Sequence, residues 1–81
     1  MKITVTFHSY FRELTGCAQV EDDFAEGTRL ADLVARMQQR FPKIKSMERS
    51  TLKAVGLEYQ SGEYVLQDGD EVSLFPPVQG G

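Results

Sequence analysis

Apolar and polar residues alternate strictly at the start of the chain, with Ile3, Val5 and Phe7 set against Lys2, Thr4, Thr6 and His8. A period of two is that of a half-buried strand, here with its odd positions inward. Ser9 is placed to cap a short helix whose apolar members are Tyr10, Phe11 and Leu14, with Gly16 as its terminator. Ala18, Val20 and Phe24 then keep an even-position alternation that predicts a second strand, weakened where Asp22 falls in the inward set. The period changes after Thr28. Leu30, Leu33, Val34, Met37 and Phe41 recur on one face of a helix, with Thr28 as its N-cap and Pro42 as its stop. Arg36, Gln39 and Arg40 lie off that face, the two arginines toward the favourable C-terminal end of the helix dipole.

The second half reads mainly as strands. Lys43 to Ser50 is irregular and basic, with Ile44 and Met47 as expected anchors onto the core. Leu52 to Tyr59 is strand-like but mixed in parity: Leu52 and Ala54 share one, Val55, Leu57 and Tyr59 the other. Gly56 inside it is expected to mark a bulge or a close backbone approach. Gln60 to Glu63 predicts a turn, and Tyr64 to Leu66 a short strand. Asp68-Gly69-Asp70 is a further turn signal, and Glu71 to Phe75 alternates again, with Val72 and Leu74 inward and Phe75 on the other face.

Two strands, a long helix and three more strands is an α+β order in which one main helix packs across one face of a mixed sheet of about five strands. The first and last strands have similar length and strict alternation. Pairing them in parallel at the centre of the sheet, with the helix in the crossover, gives the β-grasp, or ubiquitin-like, architecture. The expected organisation is a β-grasp domain over residues 1–75 and an extended tail over 76–81.

Composition narrows the function classes. Eighty-one residues support one modest core. A net charge of −3 argues against nucleic acid as the principal partner. The single cysteine excludes an internal disulfide and a cysteine-built zinc site, which suits a reducing compartment. No apolar run has signal-peptide or membrane-spanning length, so a cytoplasmic setting without a membrane partner is expected.

Candidate chemistry within the domain is sparse. Cys17 and His8 flank the predicted short helix and are not expected to meet as a nucleophile–base pair; Cys17 reads as a small buried hydrophobe and His8 as a surface residue. No metal-ligand spacing or phosphate-binding glycine loop is present, and Asp68, Asp70 and Glu71 read as a solvated turn. The chain's end is different. Pro76-Pro77 stops the last strand because proline offers no N–H to a sheet ladder. Beyond it run Val78, Gln79, Gly80 and Gly81. Two glycines without Cβ atoms fit a slot only as wide as a backbone and leave the terminal carbonyl open to attack. A frayed glycine-rich terminus is the plain alternative, but it does not call for two prolines directly behind a strand. Adenylation would give the terminal carboxylate a good leaving group that a sulfur nucleophile can displace, and six residues reach at most ~20 Å into a partner. Phe75, facing outward beside the tail's exit, is either a docking anchor or is covered by its own chain.

Phe11-Arg12-Glu13-Leu14 with Gly16, Ala54-Val55 and the final DGDEVSLFPPVQGG resemble the small subunits of molybdopterin synthase, the molybdenum-cofactor branch of the ubiquitin-like sulfur carriers. The resemblance covers the whole chain and is most specific in the Phe-Pro-Pro-Val lead-in to the glycines. It implies a subunit that is not catalytic by itself and binds no cofactor. An ATP-dependent activating enzyme similar to ubiquitin-activating enzymes would adenylate Gly81, and sulfur from a persulfide would yield a C-terminal thiocarboxylate. The tail Pro76, Pro77, Val78, Gln79 and Gly80 would then carry it into the large catalytic subunit, in a heterotetramer, for dithiolene formation on a pterin. By position the resemblance makes His8, Arg12, Tyr59 and Phe75 docking residues. Gly56 departs from the family's frequent Asn, which touches a detail of the partner surface. The alternatives are a carrier for thiamine, cysteine or tRNA thiolation, a protein modifier joined to lysines, and a plain β-grasp binding module.

Overall fold

The computed structural model describes residues 1–45 and 51–77. Met47 and the tail residues Val78, Gln79, Gly80 and Gly81 lie outside the described residues. Seven elements follow in the order β1 (Lys2–Phe7), α1 (Phe11–Thr15), β2 (Gln19–Asp23), α2 (Leu30–Arg40), β3 (Leu52–Val55), β4 (Glu58–Tyr59) and β5 (Glu71–Phe75). The strands form one mixed sheet, ordered β2-β1-β5-β3-β4. β1 and β5 run parallel at its centre, with Val5 opposite Val72 and Phe7 opposite Leu74. All the other strand pairs are antiparallel. This is the expected β-grasp.

Period-two alternation sets the two faces. Ile3, Val5, Phe7, Val72 and Leu74 point to one side and are fully buried beneath Leu30, Leu33, Val34 and Met37 of α2. Removing such a side chain from water contributes ~1.5–3 kcal/mol each, and Phe11, Phe24, Ile44 and Leu66 close the margins of the same core. Ile44 is thus the anchor its sequence position implied. Among the described residues no helix is long and apolar enough to cross a membrane.

Local elements depart from the sequence reading at several places. Ser9 does not cap α1: it takes a left-handed conformation (φ 57°) that turns the chain, and Tyr10 occupies the cap position. Gly16 does end α1, at φ 77°. Ala18 is exposed rather than inward, and Asp22 does not weaken β2. Arg36 of α2 reaches over it, with Nη1 3.7 Å from the Asp22 carboxylate and bonded to the Asp23 carbonyl at 2.7 Å, and its guanidinium 4.1 Å from the centre of the Phe24 ring.

Thr28 is not the cap of α2 either. Its hydroxyl donates to the Ala25 carbonyl at 2.6 Å, and Arg29 holds the extended cap position. The first turn of a helix has donors without intrahelical partners, and here they are met by backbone from far along the chain. Leu30 N–H donates to Tyr64 O at 2.8 Å and Ala31 N–H to Gly62 O at 3.0 Å. Asp32 Oδ2 accepts the Arg29 N–H at 3.1 Å. Residues 62–66 are therefore spent on the helix end, and the strand expected at Tyr64 to Leu66 reduces to a single bridge between Val65 and Arg29.

The strand expected over Leu52 to Tyr59 is a hairpin. Gly56 (φ 59°) and Leu57 form a two-residue turn between the partners Val55 and Glu58, and a positive φ at the first turn position favours glycine. The mixed parity is thereby explained, because folding back pairs Ala54 with Tyr59 on one face. Asp68 to Asp70 then sets the register of β5. Asp68 Oδ1 accepts the Lys2 N–H at 2.9 Å, and Asp70 Oδ2 accepts the Gln67 N–H at 2.8 Å and the Tyr64 hydroxyl at 3.0 Å. The bond to Asp70, with some burial and the carboxylate charge, raises the Tyr64 phenol above its ordinary value of 10.0.

Gly62 lies so close to α2 that an added Cβ would stand 2.9 Å from the Ala31 Cβ. Gly62→Ala is expected to destabilise the fold by ~1–3 kcal/mol through overpacking. Ala31→Gly alone costs about 1 kcal/mol in helix propensity, yet should recover part of the loss when combined with it. Urea denaturation of the double-mutant cycle measures that coupling, and additive effects would contradict the contact.

Candidate functional site

The sheet face away from α2 is divided along its length. Around its middle it presents Thr4, Thr6, Gln19, Glu21, Glu71 and Ser73. Toward the end where β1 and β5 finish, it becomes apolar and aromatic. His8 prolongs β1 by one residue, its N–H donating to Leu74 O at 3.0 Å, and so keeps the even-position orientation of Thr4 and Thr6. Phe75, the last residue of β5, faces the same way. The two rings stack at 4.3 Å between centroids and 15° between planes. Tyr59 tilts onto Phe75 from the other side at 6.0 Å and 60°. Leu52 is the register partner of Phe75 on β3.

These side chains border an open groove of about 380 Å³ lined by Ser9, Tyr10, Leu52, Tyr59, Phe75, Pro76 and Pro77. Tyr59 remains 68% and Leu52 37% exposed, and Leu57 at the hairpin tip is fully so. The β3–β4 hairpin thus carries three of the four large exposed apolar side chains among the described residues. A contiguous apolar patch of this kind marks an interaction surface more often than scattered exposed residues do. Pro76 itself is buried and Pro77 half-buried, so the chain leaves β5 across the patch instead of directly into solvent.

Of the residues expected at a docking surface, His8, Tyr59 and Phe75 come together. Phe75 is half-buried, with His8 stacked on it and Tyr59 tilted toward it from the other side. His8 is on the outer face, but it is not the free surface residue its parity suggested: it is half-buried, and its Nε2 is buried without a hydrogen-bond partner. Arg12 is exposed on α1, and among the described residues no bond or ring contact ties its guanidinium to the patch. Cys17 is half-buried, not buried, with Sγ 3.8 Å from Thr15 Oγ1. Among the described residues no group of His, Cys, Asp and Glu could hold a metal ion. Tyr10 and Leu52 were not singled out by the sequence reading. Tyr10 was counted with the helix, and Leu52 joins Phe75 only through a cross-strand register that parity alone does not supply.

An apolar platform thus stands where a Pro-Pro-led C-terminal segment leaves a β-grasp body. The profile of the ThiS family matches residues 5–81. The chain belongs to the ThiS family. A relative from Escherichia coli (strain K12), described as molybdopterin synthase sulfur carrier subunit, is 36% identical over 98% of this chain and 99% of its own length. A solved structure from Pyrococcus furiosus, a putative molybdopterin converting factor subunit 1, superposes with a TM-score of 0.87 at 32% identity, covering 96% of this chain and 99% of that one. A third, from a complex of subunits 1 and 2 of the molybdopterin-converting factor of Helicobacter pylori 26695, gives a TM-score of 0.73 at 26% identity with both chains fully covered. The resemblance to molybdopterin synthase small subunits stands, and among ThiS-family relatives this chain aligns end to end with sulfur carriers.

Two neighbours on β5 separate core from patch. Leu74→Ala, at a fully buried position, should cost ~2–5 kcal/mol of stability. Phe75→Ala should cost clearly less than the ~3–5 kcal/mol of a core Phe, because its side chain is only half-buried. Urea midpoints of the two variants check this ordering, and an equal or larger loss at Phe75 would place it in the core.

Proposed function

We propose that this chain is the sulfur carrier subunit of a molybdopterin synthase and has no catalytic centre of its own. The observation that carries the reading is the apolar platform of Tyr59, Leu52, Phe75 and Pro76 at the root of the tail, joined to a final Phe-Pro-Pro-Val-Gln-Gly-Gly. The platform gives a partner something to hold, and the tail gives it something to use. The named relatives support the same assignment, and the Helicobacter pylori complex supports a second subunit as the docking partner.

The chemistry follows from the carboxylate. As it stands it is a poor acyl donor, since its leaving group would be oxide. An activating enzyme joins it to the α-phosphorus of ATP, releasing pyrophosphate and leaving an acyl adenylate. Sulfide-level sulfur displaces AMP, so that a C–S bond replaces the C–O bond to phosphate and Gly81 ends in a thiocarboxylate. In the large subunit the thiocarboxylate sulfur attacks a pterin carbon and displaces an oxygen leaving group from it, and water then cleaves the acyl C–S bond to Gly81, leaving sulfur on the pterin and restoring the carboxylate. The folded body stays outside as a handle, with the tail, Pro76 to Gly81, spanning up to ~20 Å. ATP is consumed by the activating enzyme, and the chain itself binds no cofactor.

Intact mass after co-expression with the activating enzyme tests the reading, since oxygen replaced by sulfur adds about 16 Da. Ladders of lysine-linked conjugates without that mass would favour a protein modifier, and a thiocarboxylate delivered to a different acceptor would favour another thiolation pathway. Deleting Gly81, or adding one residue after it, should abolish sulfur transfer while the far-ultraviolet circular dichroism is unchanged, because the reacting group must sit at a set depth. Normal turnover by the chain lacking Gly81 would end the carrier assignment.

A further inference from the structure

Within the aromatic patch, the stability of the free chain does not explain the choice of histidine at position 8. Its ring is half-buried, and its Nε2 lies out of contact with solvent with no hydrogen-bond partner among the described residues. A buried ring nitrogen must be donor or acceptor in either tautomer, and leaving it unmade is a cost. A phenyl or an isobutyl group at this position would avoid that cost. What His8 does supply is a flat face. Its backbone is fixed at the end of β1 by the bond from its N–H to Leu74 O at 3.0 Å, and Ser9 turns away immediately after it at φ 57°. The imidazole is thereby held against Phe75 at 4.3 Å and 15°. Phe75 is the residue from which Pro76 starts the tail.

We propose that His8 is a positioning residue for sulfur transfer, acting through its stack on Phe75 to fix the direction in which the chain leaves β5. The inference rests on the sulfur-carrier reading. With one face of Phe75 seated on the imidazole and Tyr59 tilted at its other side, the ring has one orientation. Pro76 fixes its own φ and restricts the backbone of Phe75 before it to the extended region, so an oriented Phe75 becomes an oriented start for the tail. A reacting group at the end of that tail meets its acceptor productively only if its approach is defined, and small misplacements cost rate steeply.

Three variants separate this role from a stabilising one and from a simple partner contact. His8→Phe and His8→Leu both remove the unpartnered nitrogen, so both should match or exceed the unmodified chain in urea stability. Only His8→Phe keeps a flat face. In the free chain, NMR couplings of Phe75 should report one χ1 rotamer for the unmodified chain and His8→Phe, and averaging for His8→Leu. In single-turnover transfer from the thiocarboxylated chain to the large subunit and its pterin precursor, His8→Leu should lower the rate at saturating large subunit on the order of tenfold, and His8→Phe should restore most of it. Tyr59→Ala, which removes exposed contact area, should instead raise the half-saturating concentration. An unchanged saturating rate in His8→Leu, or an equal loss in His8→Phe, overturns the positioning role. An unmodified chain that delivers no sulfur overturns the carrier reading along with it, whereas an active unmodified chain with an indifferent His8→Leu overturns the positioning role alone.

Discussion

The structure depends on the parallel pairing of its first and last strands. Val5 beside Val72 and Phe7 beside Leu74 put four fully buried side chains at the centre of the core, and α2 can bury its stripe only on the face they make. The same pairing brings His8 next to Phe75 on the opposite face. One register therefore decides both the core and the patch. It is secured at its far end by the Asp68–Asp70 turn, whose Asp68 carboxylate and Gly69 N–H bind the backbone of Lys2. A slip of one residue would send Phe75 into the core and Leu74 onto the surface, since strand side chains alternate.

The elements with clean periodicity were legible in the sequence. Ile3, Val5 and Phe7, the stripe from Leu30 to Met37, and Val72 with Leu74 needed only a period and a length, and they were enough to imply the central parallel pair. The outward position of Phe75 followed from the same alternation. What the sequence did not carry were features set by distant backbone. Thr28 looked like a cap because capping is normally a local affair, whereas the donors of α2 are met by Gly62 and Tyr64. Leu52 to Tyr59 looked like one strand of confused register because Gly56 reverses the chain with no Asn-Gly or Asp-Gly signal.

The candidate site was legible in the same uneven way. Proline, glycine and an outward aromatic are visible as letters, so the tail and Phe75 stood out. The platform around them is built by register and stacking. Leu52 reaches it through its pairing with Phe75, and Tyr59 through a turn of two residues. His8 shows the limit most clearly, since its outer-face parity was evident and its stack and buried nitrogen were not.

The place of β5 in the chain has a consequence for the order of events during folding. Its partner β1 is made first, and the two meet only after nearly all of the described chain exists, a non-local closure of the kind that folds late. Until then the core face of β1 lacks half its neighbours and the aromatic platform lacks Phe75. The event that completes the hydrophobic interior also completes the surface at the tail's root. An immature or damaged chain thus has no assembled platform beside its C-terminal segment, so the presence of that surface reports on the completeness of the interior behind it.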